Sequence, residues 1–153
     1  MTTIFGLPAH ALLVHAAVVL VPLTAALEIL CALWPAARRR LVWLVLAFAV
    51  GVMVLIPLTV SAGEWLYDQA PQHAPILETH QERAAWAIYF AIGLLVVAVV
   101  QALQHWMESK SDQPKRALAA VAAVLAIAVG VSSVVGIVRI GDSGAQAVWG
   151  VRQ

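Results

Sequence analysis

The sequence predicts an all-α integral membrane bundle of four transmembrane helices, and three observations carry that expectation. Hydrophobic residues make up 63% of the 153 positions and charged residues only 11%. The mean hydropathy of +0.91 lies far from the balance of a soluble domain. The apolar residues also gather in four long runs, with most charges in the short segments between them. Continuous runs favour helices over a barrel, whose strands alternate, and no open sheet satisfies its backbone in lipid.

A span needs about 20 apolar residues, at roughly 1.5 Å of rise each, to cross about 30 Å of hydrocarbon. The first run is read as a span from Ala11 to Trp34. No Lys or Arg precedes it and it continues past the length of a signal-peptide core, so it reads as a retained helix. The second span is expected from Leu41 to Ala62, after the basic run Arg38, Arg39, Arg40. Pro22 and Pro57 fall inside these two spans, where each removes a backbone hydrogen bond and tends to kink its helix. A polar connection over 63–83, with Pro71 and Pro75, is the one substantial loop expected. The third span runs from Ala84 to Trp106 and the fourth from Ala117 to Val138. In the tail, Ser143 followed by Gln146 is a helix-start signal, so a short interfacial helix ending near Trp149 is expected. The whole chain, 1–153, reads as one membrane domain.

The tryptophans test this register, because the indole ring prefers the headgroup level. Trp34, Trp43 and Trp106 mark one face and Trp65, Trp86 and Trp149 the other, as four antiparallel passes require. Six basic residues lie in the first and third connections (Arg38, Arg39, Arg40, Lys110, Lys115, Arg116), against Arg83, Arg139 and Arg152 on the opposite side. Basic loops stay inside. The expected topology is therefore multi-pass in the cytoplasmic membrane, with both termini and the 63–83 connection extracytoplasmic.

The lipid bilayer is thus the principal partner. A formal charge of +1 offers no basic field for nucleic acid. Cys31 is the single cysteine, which excludes a disulfide framework, a CxxC zinc pair and a CxxCH haem attachment. No nucleophile elbow, P-loop or HExxH motif is present, so no catalytic residue is identified. Ala126 with Gly130, and Ser132 with Gly136, give the fourth span a face of small residues. Such a face serves either packing within the bundle or contact with a second copy or another membrane subunit.

The segments Gly6-Leu-Pro-Ala-His10-Ala-Leu-Leu-Val14-His15, Ala62-Gly63-Glu64-Trp65-Leu66 and Gly141-Asp142-Ser143-Gly144-Ala145, the last followed by Val148-Trp149, with His80 between the second and third, resemble a bacterial membrane family. It is the family catalogued as domain of unknown function 2231, in its actinobacterial form. The resemblance covers nearly the whole chain. It implies a four-helix membrane fold and no particular activity. The chain departs from the family pattern at Ala11, where many members carry proline, and at Asp142, where some carry histidine.

Four polar residues are expected at one outer level, each from a different helix: His15, Glu64, His80 and Asp142. Convergence of this kind is how bundles build cofactor and metal sites. His15 and His80 suit the axial positions of haem b, and the two histidines with Glu64 and Asp142 suit a divalent metal. The plainer alternative is a hydrogen-bonded cluster that fixes helix packing. His10 lies five positions before His15, roughly 140° away round a helix, and is read as an interfacial residue; His73 and His105 are read as solvent or interface residues. Glu28 is the one acid inside a span, and an isolated carboxylate there is strongly disfavoured. It has three ways out: to snorkel inward, to stay protonated, or to bond Gln101 or Gln104 across the bundle. Between Glu28 and the outer cluster only Thr24 and Ser132 or Ser133 stand, too sparse a chain to argue transport.

Overall fold

Positions 38, 42, 45, 49, 52, 56 and 59 are buried along one helix, Pro35–Asp68, in steps that alternate between four and three. That spacing keeps one stripe facing other helices while the rest of the surface faces lipid. The same stepping recurs at Ala87, Ala91, Leu94, Ala98 and Gln101 in a second helix. Outward-facing positions such as Val54, Leu58, Val124 and Val138 are exposed and apolar, as a lipid-facing surface should be.

The computed structural model describes residues 3–4, 7–69, 74–110 and 116–150. Pro71, His73, Asp112, Lys115 and Arg152 lie outside the described residues. Two two-residue strands, β1 (Thr3–Ile4) and β2 (Leu7–Pro8), pair antiparallel with Ile4 opposite Leu7. Five helices follow: α1 (Ala9–Leu33), α2 (Pro35–Asp68), α3 (Pro75–Ala84), α4 (Ala87–Glu108) and α5 (Arg116–Trp149). Among the described residues, four helical stretches are long and apolar enough to cross a membrane: α1, α2, α3 with α4, and α5. α1 packs on α2 and α5, α4 packs on the same two, and α3 packs on α5, so the long helices close a ring in chain order. One end of the bundle, here called the terminal end, gathers the starts of α1 and α4, the ends of α2 and α5, and α3. The other is the hairpin end.

Three expectations about boundaries change. The connection expected over 35–40 is helix: Pro35 starts α2 at a position where a missing N–H costs nothing, and Trp34 alone joins α1 to α2. Arg38 is consequently a helical residue, buried to 2% exposure, while Arg39 and Arg40 face outward. The 63–83 connection is also largely helical, with α2 running to Asp68 and α3 beginning at Pro75. In the tail, α5 continues unbroken to Trp149 instead of restarting as a separate short helix. Ser143 caps nothing there: its hydroxyl donates back to the carbonyls of Arg139 and Ile140, at 3.1 and 3.0 Å. Both internal prolines are absorbed, since α1 continues through Pro22 and α2 through Pro57.

At 34 residues each, α2 and α5 measure about 51 Å against roughly 30 Å of hydrocarbon. They project beyond the apolar layer. All six tryptophans are exposed, on helix ends and junctions. At the hairpin end Lys110 Nζ sits 3.9 Å above the Trp106 ring.

Candidate two-histidine site at the terminal end

Residue 10 belongs to a seven-residue series on α1, His10, Ala17, Thr24 and Cys31, of which the last three are buried. Seven residues are nearly two helical turns, so the series places His10 on the side of α1 that faces its neighbours. Its Nδ1 lies 2.9 Å from the carbonyl oxygen of Thr59 on α2. A carbonyl only accepts, so Nδ1 carries the proton and donates. The ring fits because α2 has glycine at 63: a Cβ there would lie 2.8 Å from His10 Cε1.

His80 is held in the same way from the other side of the bundle. α3 carries it against α5, where its Nδ1 donates to the Ile140 carbonyl at 3.1 Å, with Ser143 Oγ at 3.3 Å. Gly144 makes room, since a Cβ there would stand 3.0 Å from His80 Cε1. The two imidazoles meet edge-on at the end of the bundle, with centroids 6.4 Å apart and planes at 76°. Four helices thus meet at one pair: α1 and α3 supply the rings, α2 and α5 the carbonyls that orient them. Neither Nε2 has a hydrogen-bond partner among the described residues. Each ring thus has its Nδ1 fixed by a main-chain carbonyl and its Nε2 left free to accept.

The other expected site residues stand apart from this pair. His15 is exposed on the outside of α1, its Nδ1 turned to the carbonyl of Ala11 in its own helix. Glu64 is exposed on α2. Asp142 is exposed on α5 and accepts from Gln146 Nε2 at 2.9 Å. Among the described residues no three His, Cys, Asp or Glu side chains are gathered to hold a metal ion. A cleft of about 170 Å³, lined in part by Trp86, Phe90 and Gly136, opens beside Ile140.

Glu28 is fully buried, as its place inside a span implied. Gln101 does reach it, but through the main chain: Gln101 Nε2 donates to the Glu28 carbonyl at 2.7 Å. Gln104 turns instead to Glu108, whose Oε1 accepts from its Nε2 at 2.9 Å. The Glu108 carboxylate is shared with the buried Arg38.

A family model described as "Predicted membrane protein (DUF2231)" matches residues 6–152, and the chain belongs to that family. No significant match exists among curated proteins or solved structures. Each of the three segments that carried the resemblance reaches the histidine pair: His10 lies in the first, whose His15 stands apart, Gly63 lies in the second, and Ser143 and Gly144 lie in the third.

Proposed function

We propose that this DUF2231 membrane protein holds a transition-metal centre between His10 and His80, at a terminal end that faces the extracytoplasmic side of the cytoplasmic membrane. The observation that carries the proposal is the pairing of two imidazoles whose Nδ1 atoms are both committed to main-chain carbonyls. A metal ion bound by two Nε2 atoms, with bonds of about 2 Å on either side, sets ring centroids about 5 Å apart at a tetrahedral angle and about 6 Å apart when the rings lie on opposite sides of it, and His10 and His80 stand at 6.4 Å. Two nitrogens suffice for haem b iron, whereas a lone divalent ion needs further ligands. Glu64 and Asp142, next in sequence to Gly63 and Ser143, are the carboxylates nearest in the chain to the site. The cleft of about 170 Å³ beside Ile140 is lined by neither histidine, so the choice between haem and a lone ion falls to the spectrum. The orientation rests on the basic residues of the hairpin end.

The test is a visible spectrum and an elemental analysis of protein purified in mild detergent from its native membrane. A reducible Soret band identifies haem; stoichiometric metal without it identifies a lone ion. His10→Ala and His80→Ala should each remove the bound species and His15→Ala should keep it. Colourless, metal-free protein would overturn the proposal. A second reading has its own support, because the bonds to Thr59 and Ile140 tie α1 to α2 and α3 to α5 without any ligand. On that reading each histidine substitution lowers stability by about 1–3 kcal/mol and nothing is lost from solution.

A further inference from the structure

A second polar site lies in the bundle interior towards the hairpin end, separate from the histidine pair, and its contacts close on themselves. Gln101 Nε2 donates to the Glu28 carbonyl, and three residues further along α1 the Cys31 carbonyl accepts from Arg38 Nη1 at 3.0 Å. Arg38 Nη2 lies 2.9 Å from both oxygens of Glu108, and Glu108 accepts from Gln104, one turn of α4 from Gln101. In this circuit both amide NH2 groups and both terminal guanidinium nitrogens are used. The oxygens opposite them are not. Both carboxyl oxygens of Glu28 and the Oε1 atoms of Gln101 and Gln104 are buried without a donor. Glu28, Gln101 and Gln104 are all 0% exposed.

The amide orientations are not interchangeable here. Turning either glutamine over would present an oxygen to the Glu28 carbonyl or to the Glu108 carboxylate, both of which only accept. The interior therefore holds four acceptor oxygens in excess, and one carboxyl whose possible counter-charge, Arg38, is already spent on Glu108. A proton on Glu28 would supply one donor for four acceptors. The unused Arg38 Nε and the Ser133 hydroxyl, also buried without a partner, add donors but no further charge. A small cation would satisfy several oxygens together, since hard cations take oxygen ligands from carboxylate and amide groups alike. Charge selects its valence: one carboxylate neutralises one positive charge, whereas a divalent ion would leave a net charge buried.

The geometry points to a binding site for a small monovalent cation, of the sodium type, formed by the Glu28 carboxylate with the amide oxygens of Gln101 and Gln104. The ion replaces the proton on Glu28, and the Arg38–Glu108 pair holds the Gln104 amide with its oxygen turned away from Glu108.

A ligand that binds only the folded chain raises its unfolding temperature with concentration. Full-length protein in mild detergent is unfolded thermally, followed by tryptophan fluorescence, in sodium chloride and in choline chloride at equal ionic strength. Sodium should raise Tm over choline by about 3 °C or more once it exceeds its Kd tenfold. The difference should vanish in Glu28→Gln, which keeps shape but has no charge to neutralise, and should shrink in Gln101→Met. Equal Tm values in the two salts for the wild-type protein would overturn the proposal, whether or not the variants fold. So would a sodium shift that persists undiminished in Glu28→Gln.

Discussion

Arg38 Nη2 lies 2.9 Å from both carboxylate oxygens of Glu108, 70 positions later in the chain, and so bonds the start of α2 to the last residue of α4. The two partners are unequally buried, at 3% and 25% side-chain exposure. Removing the carboxylate therefore strands a cation inside, and removing the cation leaves a half-solvated carboxylate still served by Gln104. We expect Glu108→Leu to cost about 3–5 kcal/mol and Arg38→Met less, about 1–3 kcal/mol. The double variant should be more stable than Glu108→Leu alone. Unfolding in detergent measures all three, and strictly additive losses would show that the pair is not coupled.

Glycine 63 separates space from propensity. Gly63→Ala puts a Cβ 2.8 Å from His10 Cε1, whereas a Cβ at Gly51, on the same helix, meets nothing within 4 Å. On the proposed metal centre, Gly63→Ala should weaken binding about 10- to 100-fold by displacing the ring, and it should destabilise by about 1–2 kcal/mol. Gly51→Ala should be neutral or up to about 1 kcal/mol more stable. Metal titration and thermal unfolding of both variants check this, and similar behaviour of the two would remove the steric role assigned to Gly63.

The two histidines of α1 should behave differently. His15→Ala removes an exposed ring bonded to its own helix, so a stability change within about 0.5 kcal/mol is expected. His10→Ala removes a bond between α1 and α2, for a loss of about 1–3 kcal/mol. A larger loss from His15 than from His10 would reverse their assigned places.

Topology is open to chemical labelling. In a background of Cys31→Ser, a single cysteine replacing the exposed Asp68 should react with an impermeant thiol reagent on intact cells. One replacing Lys110 should react only after lysis. The opposite pattern would invert the orientation.

The four passes and their tryptophan ends were legible because apolar length and interfacial indoles are local properties. Burial inside the bundle is set by neighbours, and there the simple cues misled. Arg38 sits in a run of three arginines and reads as a loop charge. Only the four-three stepping of Val42, Val45, Ala49, Val52, Ile56 and Thr59, extended one step back, puts it inside and its two neighbours outside. His15 stands out in the sequence as a polar residue at the outer level of its helix, yet the seven-residue series through Cys31, Thr24 and Ala17 leads to His10. The acceptors of the histidines, Thr59 and Ile140, are main-chain carbonyls, which no pattern of side chains announces.

The wide chain separation of Arg38 and Glu108 also has a consequence for biogenesis. At a synthesis rate of about 5–20 residues per second, Arg38 emerges roughly 4–14 seconds before its partner. During that interval α1 and α2, joined by the single residue Trp34, form a tight corner with an arginine beside it. A guanidinium at that place resists passage into hydrocarbon until a carboxylate reaches it. The contact of Arg38 Nη2 with both oxygens of Glu108 joins the two hairpins, so it can form only once α4 has packed on α2.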